Sequence, residues 1–338
     1  MEDSNQSENG HARMPDVQKV IKRIDAFQQR HRPLAFTFGV IKKFGDDQGG
    51  NLAALITYYG FLSLFPLLLV TVTVLGYVLH GHPGLQDDIL NSALADFPII
   101  GAQIKGNVGS VRGSGIALAI GLLGTFYGGL GIANAAQDAM NRVWEVPMRA
   151  RPGFLPRIAR SLALIGTLGL GILVTTVLSG IGGGTGGLGV WIRVAALCLG
   201  FGLNVLLFVI AFRVLTSREL SWREVLPGAI VAAVGWEILQ AVGGAFVAHA
   251  LKGSSQMYGS FALVLGLLAW IFLQARIVVY AAEVNVVKAH RLWPRSIAPP
   301  PLTEADKRAY DAYAKTEERR PDERVDVEIP VEEPQGRR

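Results

Sequence analysis

The sequence predicts an all-α fold, a polytopic membrane protein built as a bundle of six transmembrane helices. Half of the 338 residues are apolar and only 17% are charged, whereas about a quarter of the residues are charged in a usual soluble domain. Charged residues are absent from long stretches, of which 48–86 and 113–137 are the clearest. Apolar runs above about 18 residues are typical of transmembrane helices. Together these observations predict a chain that crosses a membrane several times.

Six largely apolar runs are long enough to be spans, and they lie within a membrane domain at 48–290. The predicted spans are about 52–79, 114–137, 161–180, 192–214, 225–250 and 259–284. Roughly fifty mostly polar residues precede the first run, and no small-residue cleavage pattern follows it. We therefore expect the first run to be a span of the mature protein rather than a cleaved secretory signal.

The segments outside the spans differ in composition. Residues 1–16 and 291–338 are polar or rich in charge, which predicts a disordered N-terminus and a disordered cytoplasmic tail. Within the 17–47 segment, apolar residues recur at helical spacing from Val17 to Phe27, which predicts an amphipathic N-terminal helix. This helix either lies on anionic headgroups or packs on the cytoplasmic ends of the spans. A second, extracytoplasmic amphipathic helix is predicted at 85–100, between spans one and two.

Lysine and arginine are concentrated in the segments that six spans would place on one side of the membrane. Basic residues gather on the cytoplasmic side of membrane proteins, so both termini are predicted to be cytoplasmic, in a bacterial cell (inner) membrane. The net charge of +5 is then spread over loops at one membrane face, which argues against a nucleic-acid partner and favours membrane lipids. The lone cysteine, Cys198, excludes an internal disulfide.

Polar side chains within the predicted spans form the first candidate site. A charge at the bilayer centre costs at least ~2.5–3.5 kcal/mol, so Glu237 in the fifth span and Arg276 in the sixth need partners. Arg276 could reach Glu237 on the neighbouring helix and Glu283 along its own. These groups form either a polar pathway or headgroup site, or an ion pair that only fixes helix register. The candidate residues are Asn204, Glu237, Gln240, Gln274, Arg276 and Glu283.

A second candidate site closes the second span, at the predicted cytoplasmic mouth. Polar residues there recur at spacings that can share one helical face, and a tryptophan among them suits the interfacial aromatic belt. The cluster is either a gate or headgroup contact, or an ordinary polar helix end. Its members are Asn134, Asp138, Asn141, Arg142 and Trp144.

The first two spans contain features that act on helix shape and packing. Pro66 lies inside the first span, where it cannot donate to the carbonyl four residues earlier and should bend the helix. It is a candidate hinge, or a kink that only improves packing. Gly124 and Gly128 form a G-x-x-x-G pattern in the second span. This pattern predicts close helix packing, within the chain or between copies, which leaves a homo-oligomer open.

Four ordered segments resemble the YihY/BrkB family of bacterial inner-membrane proteins, long carried under the label ribonuclease BN. They are "LAALITYYGFLSLFPLLL", "NRVWEV", "LSWREVLPGAIVAAVGWEIL" and "YGSFALVLGLLAWIFLQARIVVYAAEVN", and the resemblance covers about residues 40–288. It implies a six-span protein of the cell envelope, under names that suggest virulence, serum resistance, transport or tRNA processing, and it assigns no catalytic residue. Its motif positions are Tyr58, Tyr59, Pro66, Asn141, Trp144, Trp222, Pro227, Gly228, Trp236, Glu237, Tyr258, Gly259, Ser260 and Glu283.

We expect no enzymatic activity, cofactor or metal. His80, His82, Asp87, Asp88 and His249 could meet around a metal outside the membrane, but the sequence contains no H-E-x-x-H motif, G-x-S-x-G elbow or P-loop. A ribonuclease would need a dense set of His and Asp ligands. The sequence favours a transporter or lipid-translocating protein for an amphipathic envelope substrate, with a polar pathway among spans two, five and six. The alternative is a non-catalytic membrane scaffold or assembly factor of the cell envelope.

Overall fold

The computed structural model describes residues 14–78, 115–183, 190–253 and 259–328, and the regular structure of these residues is helical. A short 3-10 helix at Met148–Ala150 lies between the fourth and fifth α-helices of this part of the chain. The α-helices are α1 (Met14–Arg30), α2 (Arg32–Asp46), α3 (Gly49–Val78), α4 (Gly115–Val143), α5 (Phe154–Gly183), α6 (Val190–Leu215), α7 (Trp222–Gly253), α8 (Gly259–Ala289) and α9 (Glu304–Thr316). The helix predicted at 85–100 lies outside the described residues.

Five of these helices are long and apolar enough to cross a membrane, within the described part of the chain. The candidate spans are Gly49–Leu67, Ala119–Val143, Leu197–Leu215, Trp222–Gly243 and Val264–Ala289. They confirm the all-α polytopic class, and they correspond to predicted spans one, two, four, five and six. The remaining predicted span, 161–180, falls within α5, a helix of 30 residues. The count of six spans stays a prediction.

The six long helices pack in the order in which they occur in the chain. Each of α3 to α7 contacts the next helix, and α8 returns to contact α3. The helix α4 also contacts α6 and α8, and α8 also contacts α2. Because α4 and α8 each touch several helices, the side chains at their shared end are placed to form a common site.

Glycines on α4 allow it to pack tightly on α3. A Cβ atom added at Gly124 would lie 2.8 Å from the Cβ of Pro66, and one added at Gly128 would lie 2.5 Å from the Cβ of Ser63. Such distances leave no room for a larger side chain. The G-x-x-x-G pattern therefore packs within the chain. Pro66 lies inside α3 with its ring against Gly124, and its role as a hinge stays a prediction.

The contact between α7 and α8 also depends on small residues. The backbone N–H of Gly228 donates a hydrogen bond of 2.6 Å to Oδ1 of Asn285, and a Cβ atom at Gly228 would overlap the carbonyl oxygen of Ala281. Farther along the same helices, Gly235 lies against the side chain of Ile277. Close backbone approach of this kind is expected between spans, because lipid tails provide no hydrophobic drive for helices to associate.

One end of the bundle carries α1, α2, α9 and the segment between α8 and α9. We call it the terminal end. Asp25 of α1 accepts hydrogen bonds from the hydroxyl of Ser296 at 3.1 Å and from the backbone N–H of Ile297 at 3.0 Å. Arg295 is fully buried and pairs with Asp306 of α9 at 2.5 Å. These contacts tie the C-terminal segment to the N-terminal helices.

The sequence predicted a disordered tail at 291–338, and this prediction is wrong for residues 291–328. The helix α9 begins with a capping box, in which Thr303 and Asp306 bond each other's backbone N–H groups, and Lys42 of α2 pairs with Asp306 at 2.9 Å. High charge is typical of disorder when it prevents burial, but these charges have specific partners. Residues 1–13 and 329–338 lie outside the described residues, and α1 begins at Met14, within the predicted disordered N-terminus.

The amphipathic helix α1 presents its apolar side chains outward. Val20, Ile24 and Phe27 are each more than half exposed, whereas Asp25 and Gln28 are buried. The amide of Gln28 donates to a backbone carbonyl of the C-terminal segment at 2.7 Å. The polar side of α1 is therefore the side that packs on protein. This arrangement favours a helix whose apolar face lies on lipid headgroups over one that packs that face on the spans.

Candidate functional site

A polar pair lies halfway along two neighbouring spans. The side-chain amide of Asn204 in α6 donates a hydrogen bond of 3.1 Å to Oε1 of Glu237 in α7. Both residues lie near the middle of their helices, and Glu237 is exposed at the protein surface. An ionised carboxyl group at this depth costs at least ~2.5–3.5 kcal/mol in lipid. The pair therefore marks a place where the surface of the bundle needs water or a polar ligand.

Two uncharged members of the predicted intramembrane site lie on the same helices as its acidic members. Gln240 follows Glu237 by three residues on α7, so the two share a helical face, and it is half-buried. Gln274 is half-buried on α8. Gln240 therefore extends the polar surface that begins at Glu237.

Arg276 does not join the polar pair. Its guanidinium lies over the rings of Phe44 and Tyr280, 5.6 Å and 5.8 Å from their centroids. The suggested pairing of Arg276 with Glu237 and Glu283 is wrong, since neither ion pair forms among the described residues. The reason is the position of α2, which stacks Phe44 on Tyr280 at 3.8 Å and offers Arg276 an aromatic surface.

Glu283 lies instead in a buried group of charges at the terminal end, the Lys43 cluster. The ammonium of Lys43 in α2 lies 2.5 Å from Asp47, 3.1 Å from Glu145 and 3.9 Å from Glu283. None of the four side chains is more than 5% exposed. Glu145 follows the end of α4, and Glu283 belongs to α8. One buried cation therefore joins three elements that are distant in the sequence.

The Lys43 cluster holds three carboxyl groups against one ammonium. Burial acts to lower the pKa of Lys43, but the acidic groups of Glu283, Asp47 and Glu145 outweigh it and raise that pKa. Burial raises the pKa of Asp47, although the charge of Lys43 opposes this. Burial also acts to raise the pKa of Glu145, but contacts with His290 and Lys43 overcome it and lower that pKa. Lys43 therefore stays charged, and Asp47 takes up a proton more readily than Glu145.

The Lys43 cluster continues to the protein surface through His290 and Arg218. Nδ1 of His290 lies 3.2 Å from Oε2 of Glu145, and Nε2 lies 3.1 Å from Nη1 of Arg218. Arginine only donates hydrogen bonds, so Nε2 of His290 accepts one and Nδ1 carries the hydrogen donated to Glu145. A continuous chain of polar contacts thus leads from the exposed Arg218 to the buried Lys43.

The predicted cluster at the end of the second span divides into two groups, of which the first faces α5. Arg157 of α5 donates to Oδ1 of Asn134 at 2.9 Å and pairs with Asp138 at 2.6 Å. Gln137, a polar residue of the same helix end that is not among the five candidates, is buried and donates to the hydroxyl of Ser161 at 2.8 Å. These bonds fasten α4 to α5, which favours a packing role for Asn134 and Asp138.

The second group, Asn141, Arg142 and Trp144, does not share one face. Oδ1 of the buried Asn141 accepts a hydrogen bond of 2.8 Å from the backbone N–H of Ser217, whereas Arg142 is exposed. Trp144 is 1% exposed and packs edge-on against His290, with ring centroids 5.9 Å apart. The assignment of Trp144 to the interfacial belt is therefore wrong, because the turn after α4 folds inward toward the Lys43 cluster.

An open groove of about 960 Å³ lies at the terminal end, between α5, α6 and the start of α7. Three arginines line this arginine groove, Arg160 from α5, Arg213 from α6 and Arg218 from the turn between α6 and α7. Arg218 also contacts His290. The groove and the Lys43 cluster are therefore connected.

Sequence reasoning did not place Lys43, Asp47 or Glu145 together with Glu283. Lys43, Asp47 and His290 lie next to the ends of predicted spans, where polar residues are ordinary, and no spacing linked them. Glu145 lies within "NRVWEV", one of the segments that carry the family resemblance. That segment was the one signal that could have found the cluster.

The metal ligands that the sequence suggested lie at or beyond the ends of the predicted spans. His80, His82, Asp87 and Asp88 lie outside the described residues, as does the side chain of His249. Within the described ranges, no group of three or more His, Cys, Asp or Glu side chains could hold a metal ion.

Comparison with known proteins finds one family and several relatives. A model of the family described as Virulence factor BrkB matches residues 40–302. The chain is 26% identical over 275 residues to the inner membrane protein YhjD of Escherichia coli (strain K12), an alignment that covers 75% of this chain and 81% of YhjD. It is 30% identical over 264 residues to an uncharacterized protein of Dickeya dadantii (strain 3937), which covers 71% of this chain and 79% of that protein.

A third relative carries a different kind of name. YfkH of Bacillus subtilis (strain 168), whose name is ribonuclease-like, is 25% identical over 278 residues, which cover 75% of this chain and 95% of YfkH. No solved structure matches the chain significantly.

Proposed function

The chain belongs to the Virulence factor BrkB family and is an integral membrane protein, and we propose that it carries an amphipathic component of the cell envelope across the membrane, as a transporter or lipid-translocating protein. In this proposal the membrane is the bacterial inner membrane, and the terminal end faces the cytoplasm. The excess of Lys and Arg in segments at this end supports the orientation. The observation that carries the proposal is the polar pair of Asn204 and Glu237 in the middle of two spans.

The polar pair supports a path because lipid offers a carboxyl group no compensation for lost water. Asn204 bonds one oxygen of Glu237, and the carboxyl group is exposed, so its remaining acceptor capacity needs water or a polar ligand. The polar part of an amphiphile would supply donors at this depth. The sequence favoured a path among spans two, five and six, whereas this pair belongs to α6 and α7. We therefore propose that the path runs along α6 and α7.

The Lys43 cluster supports a second part of the proposal, that the terminal end is closed at rest and opens during transport. The cluster ties α2 to α8 and to the turn after α4. A polar headgroup that entered from this end would have to pass between these elements. Ion pairs at such a junction can exchange partners when packed helices move, as in other switching proteins.

We propose no enzymatic activity. The ribonuclease-like name of YfkH describes that relative. Metal-dependent RNA cleavage uses a dense set of His and Asp ligands, and the six histidines of this chain are scattered without an H-E-x-x-H motif. Hydrolysis of tRNA by purified, nuclease-free protein would contradict this part of the proposal.

Translocation of fluorescent phospholipids in proteoliposomes tests the proposal. The full chain is reconstituted with NBD-labelled phosphatidylglycerol or phosphatidylethanolamine, and dithionite then quenches the label in the outer leaflet. Proteoliposomes should lose the inner-leaflet signal as well, for at least one of the two lipids, whereas protein-free liposomes should retain it.

The variant Glu237→Gln tests the polar pair itself. It should slow translocation about tenfold or more, which corresponds to a barrier raised by about 1.4 kcal/mol. Glu304→Gln is the matched control, because Glu304 is exposed on α9 and pairs with Lys307 outside the spans. It should move lipid at the wild-type rate.

The competing function is a non-catalytic scaffold or assembly factor of the envelope. The density of buried pairs at the terminal end favours it, because such pairs fix helix register whether or not a ligand passes. A scaffold would move neither lipid in the wild type, and Glu237→Gln would change only its stability. That outcome would overturn the transport proposal.

A further inference from the structure

We propose that the arginine groove binds a phosphate group, presented by the headgroup of an anionic phospholipid. This site deepens the proposed function and rests on it for one point, that the ligand is an amphiphile arriving from the membrane. A lipid phosphate and inorganic phosphate share the same chemistry, a compact anion rich in hydrogen-bond acceptors that arginine binds through parallel N–H groups. The experiment therefore has to distinguish the two sources.

The arginine groove has room for a headgroup and an excess of positive charge. Its volume of about 960 Å³ falls within the range of ~300–1,000 Å³ that is usual for small-molecule sites. Three arginines and two acidic residues, Glu219 and Glu224, line it. One oxygen of Glu224 is already committed, since it accepts hydrogen bonds from the backbone N–H and the hydroxyl of Ser221. The lining thus carries one net positive charge.

Two hydrogen-bond donors of the groove residues are buried and have no partner among the described residues. They are Nη1 of Arg160 and the hydroxyl of Ser217. Buried polar groups in native proteins nearly always have a partner. Orphaned donors on residues that line an open groove therefore indicate an acceptor that arrives from outside, and a phosphate offers several acceptor oxygens.

The other two arginines, Arg213 and Arg218, are positioned by contacts with the protein and still have N–H donors free for a ligand. Nε of Arg213 donates to the carbonyl oxygen of Leu220 at 2.9 Å, and Arg218 contacts His290 through Nη1. These bonds use a minority of the five N–H donors on each guanidinium. Nη2 of Arg218 lies 3.9 Å from Glu224, a loose ion pair that a phosphate can replace.

Trp222 places the groove at the depth of lipid headgroups. It begins the candidate span Trp222–Gly243 and is 52% exposed, and the guanidinium of Arg213 lies 5.3 Å from its ring. Tryptophan is typical of the membrane interface, and basic pockets between spans at this depth bind anionic headgroups. Ala163 and Ile210 also line the groove, so the first carbons of an acyl chain would meet an apolar wall.

Native mass spectrometry of the full chain in detergent tests the site. The protein is titrated with dioleoyl phosphatidylglycerol, or with dioleoylglycerol, which has the same chains and no phosphate. The wild type should retain phosphatidylglycerol and release dioleoylglycerol. Arg160→Gln should weaken phosphatidylglycerol binding by about tenfold to a hundredfold, the usual effect of losing charged hydrogen bonds. Ser217→Ala should cause a smaller loss, and it serves as the test if Arg160→Gln fails to fold.

Arg223→Gln is the matched control, because Arg223 is exposed on the same turn as Glu224 but does not line the groove. It should bind phosphatidylglycerol like the wild type. Equal binding by Arg160→Gln, Ser217→Ala and Arg223→Gln would overturn the proposal, and so would equal retention of dioleoylglycerol. Either result would mean that the lipid binds elsewhere or through its chains.

Inorganic phosphate distinguishes the two sources of the ligand. If millimolar phosphate displaces phosphatidylglycerol from the wild type, the groove recognises the phosphate group alone. If it does not, the groove needs the whole lipid.

The binding site and the transport proposal can be overturned independently of each other. Lipid bound in the groove without translocation would overturn transport alone, whereas wild-type translocation with unchanged lipid binding in the Arg160→Gln and Ser217→Ala variants would overturn the site alone.

Discussion

The terminal end of the bundle and its membrane-spanning middle are held together by opposite means. At the terminal end, Lys43 and Arg295 are fully buried and paired with carboxyl groups. In the middle, helices meet through glycines such as Gly124 and Gly128, which bring backbones into contact. Lipid tails are as apolar as leucine, so the hydrophobic effect does not drive spans to associate. Van der Waals contact between closely packed helices stabilises their association instead.

This difference indicates where the bundle is sensitive to change. A buried charge that loses its partner costs several kcal/mol, because no water reaches it. An added methyl group between helices usually costs less, because neighbouring side chains and backbones can shift. The terminal end should therefore tolerate substitution less well than the middle, although both regions are closely packed.

The variant Lys43→Met should break the terminal end with the largest effect. It should lower the free energy of unfolding by about 3–5 kcal/mol, because Asp47, Glu145 and Glu283 stay buried without a counter-charge. The unfolding temperature in detergent, followed by tryptophan fluorescence, measures the loss. Adding Glu283→Gln should recover part of it, because an amide replaces an unpaired carboxyl group. Lys288→Met is the control, since Lys288 is exposed on α8, and equal stability of the two lysine variants would contradict the role of the cluster.

The variant Asp306→Asn tests the charges that hold the C-terminal segment. Burial acts to raise the pKa of Asp306, but bonds from Arg295, Lys42 and the backbone of Ser296 outweigh it and hold the pKa well below its usual range. The substitution should cost about 2–3 kcal/mol, as for lost hydrogen bonds between charged groups. This is less than for Lys43→Met, because Arg295 keeps its ion pair with Asp46 at 2.9 Å.

The effect of Asp306→Asn should depend on pH in one direction. The pKa of Asp306 is lower in the folded state than in the unfolded state, where it is about 3.9. Its contribution to stability is therefore complete above pH values of about 4, and it is lost as the pH falls from there through the folded-state pKa. The difference in unfolding temperature from the wild type should be constant above about pH 5 and shrink below about pH 4. Asp311→Asn, on the exposed side of the same helix, should show little effect at any pH. A difference that grows on acidification would count against the assignment.

The variant Gly128→Ala tests the middle. It should cost about 1–2 kcal/mol, because the added methyl group would lie against Ser63 and would have to separate α3 from α4. Gly166→Ala is the matched control on α5, where a Cβ atom would meet nothing within 4 Å, and it should leave stability unchanged or raised. If Gly128→Ala were as destabilising as Lys43→Met, the two regions would not differ in tolerance.

The class of the fold could be predicted from the sequence because it depends on hydropathy, which is a property of single residues. The G-x-x-x-G pattern also predicted close helix packing, because small residues at that spacing have few other uses in an apolar helix. It left open whether the contact lies within the chain, as the structure has it, or between copies. The ordered C-terminal segment could not be predicted. Its stability depends on pairs such as Arg295 with Asp306, and each of these charges, taken alone, looks like part of a solvated extension.

The candidate sites were less predictable than the fold for a related reason. The depth of Glu237 and Asn204 follows from counting residues along a span, and the structure brings these two together. The partners of Arg276 depend on where α2 packs, which hydropathy does not determine. Lys43 and Glu145 come together only because the turn after α4 folds inward toward α2 and α8. No local sequence pattern predicts the direction of that turn.

The smallest predicted effect concerns Gln48, which joins the terminal end to the middle. Gln48 adopts φ 56° between α2 and α3, a left-handed conformation that costs a residue with a Cβ atom about 1–2 kcal/mol. Glycine avoids this cost but loses about 0.4–1 kcal/mol through the greater freedom of its unfolded chain. Gln48→Gly should therefore raise stability by about 0.5–1 kcal/mol, as measured by the unfolding temperature.

The variant Gln48→Ala separates the backbone of this junction from its side chain. Alanine keeps the strained conformation and loses the hydrogen bond of 3.3 Å that the side chain of Gln48 accepts from Asn51, so it should lower stability slightly. If Gln48→Gly also lowered stability, the side-chain bond to the first turn of α3 would outweigh the strain. Polar side-chain contacts of the kind that stabilise the terminal end would then extend into the first turn of α3. The boundary between the two regions would lie within α3 rather than before it.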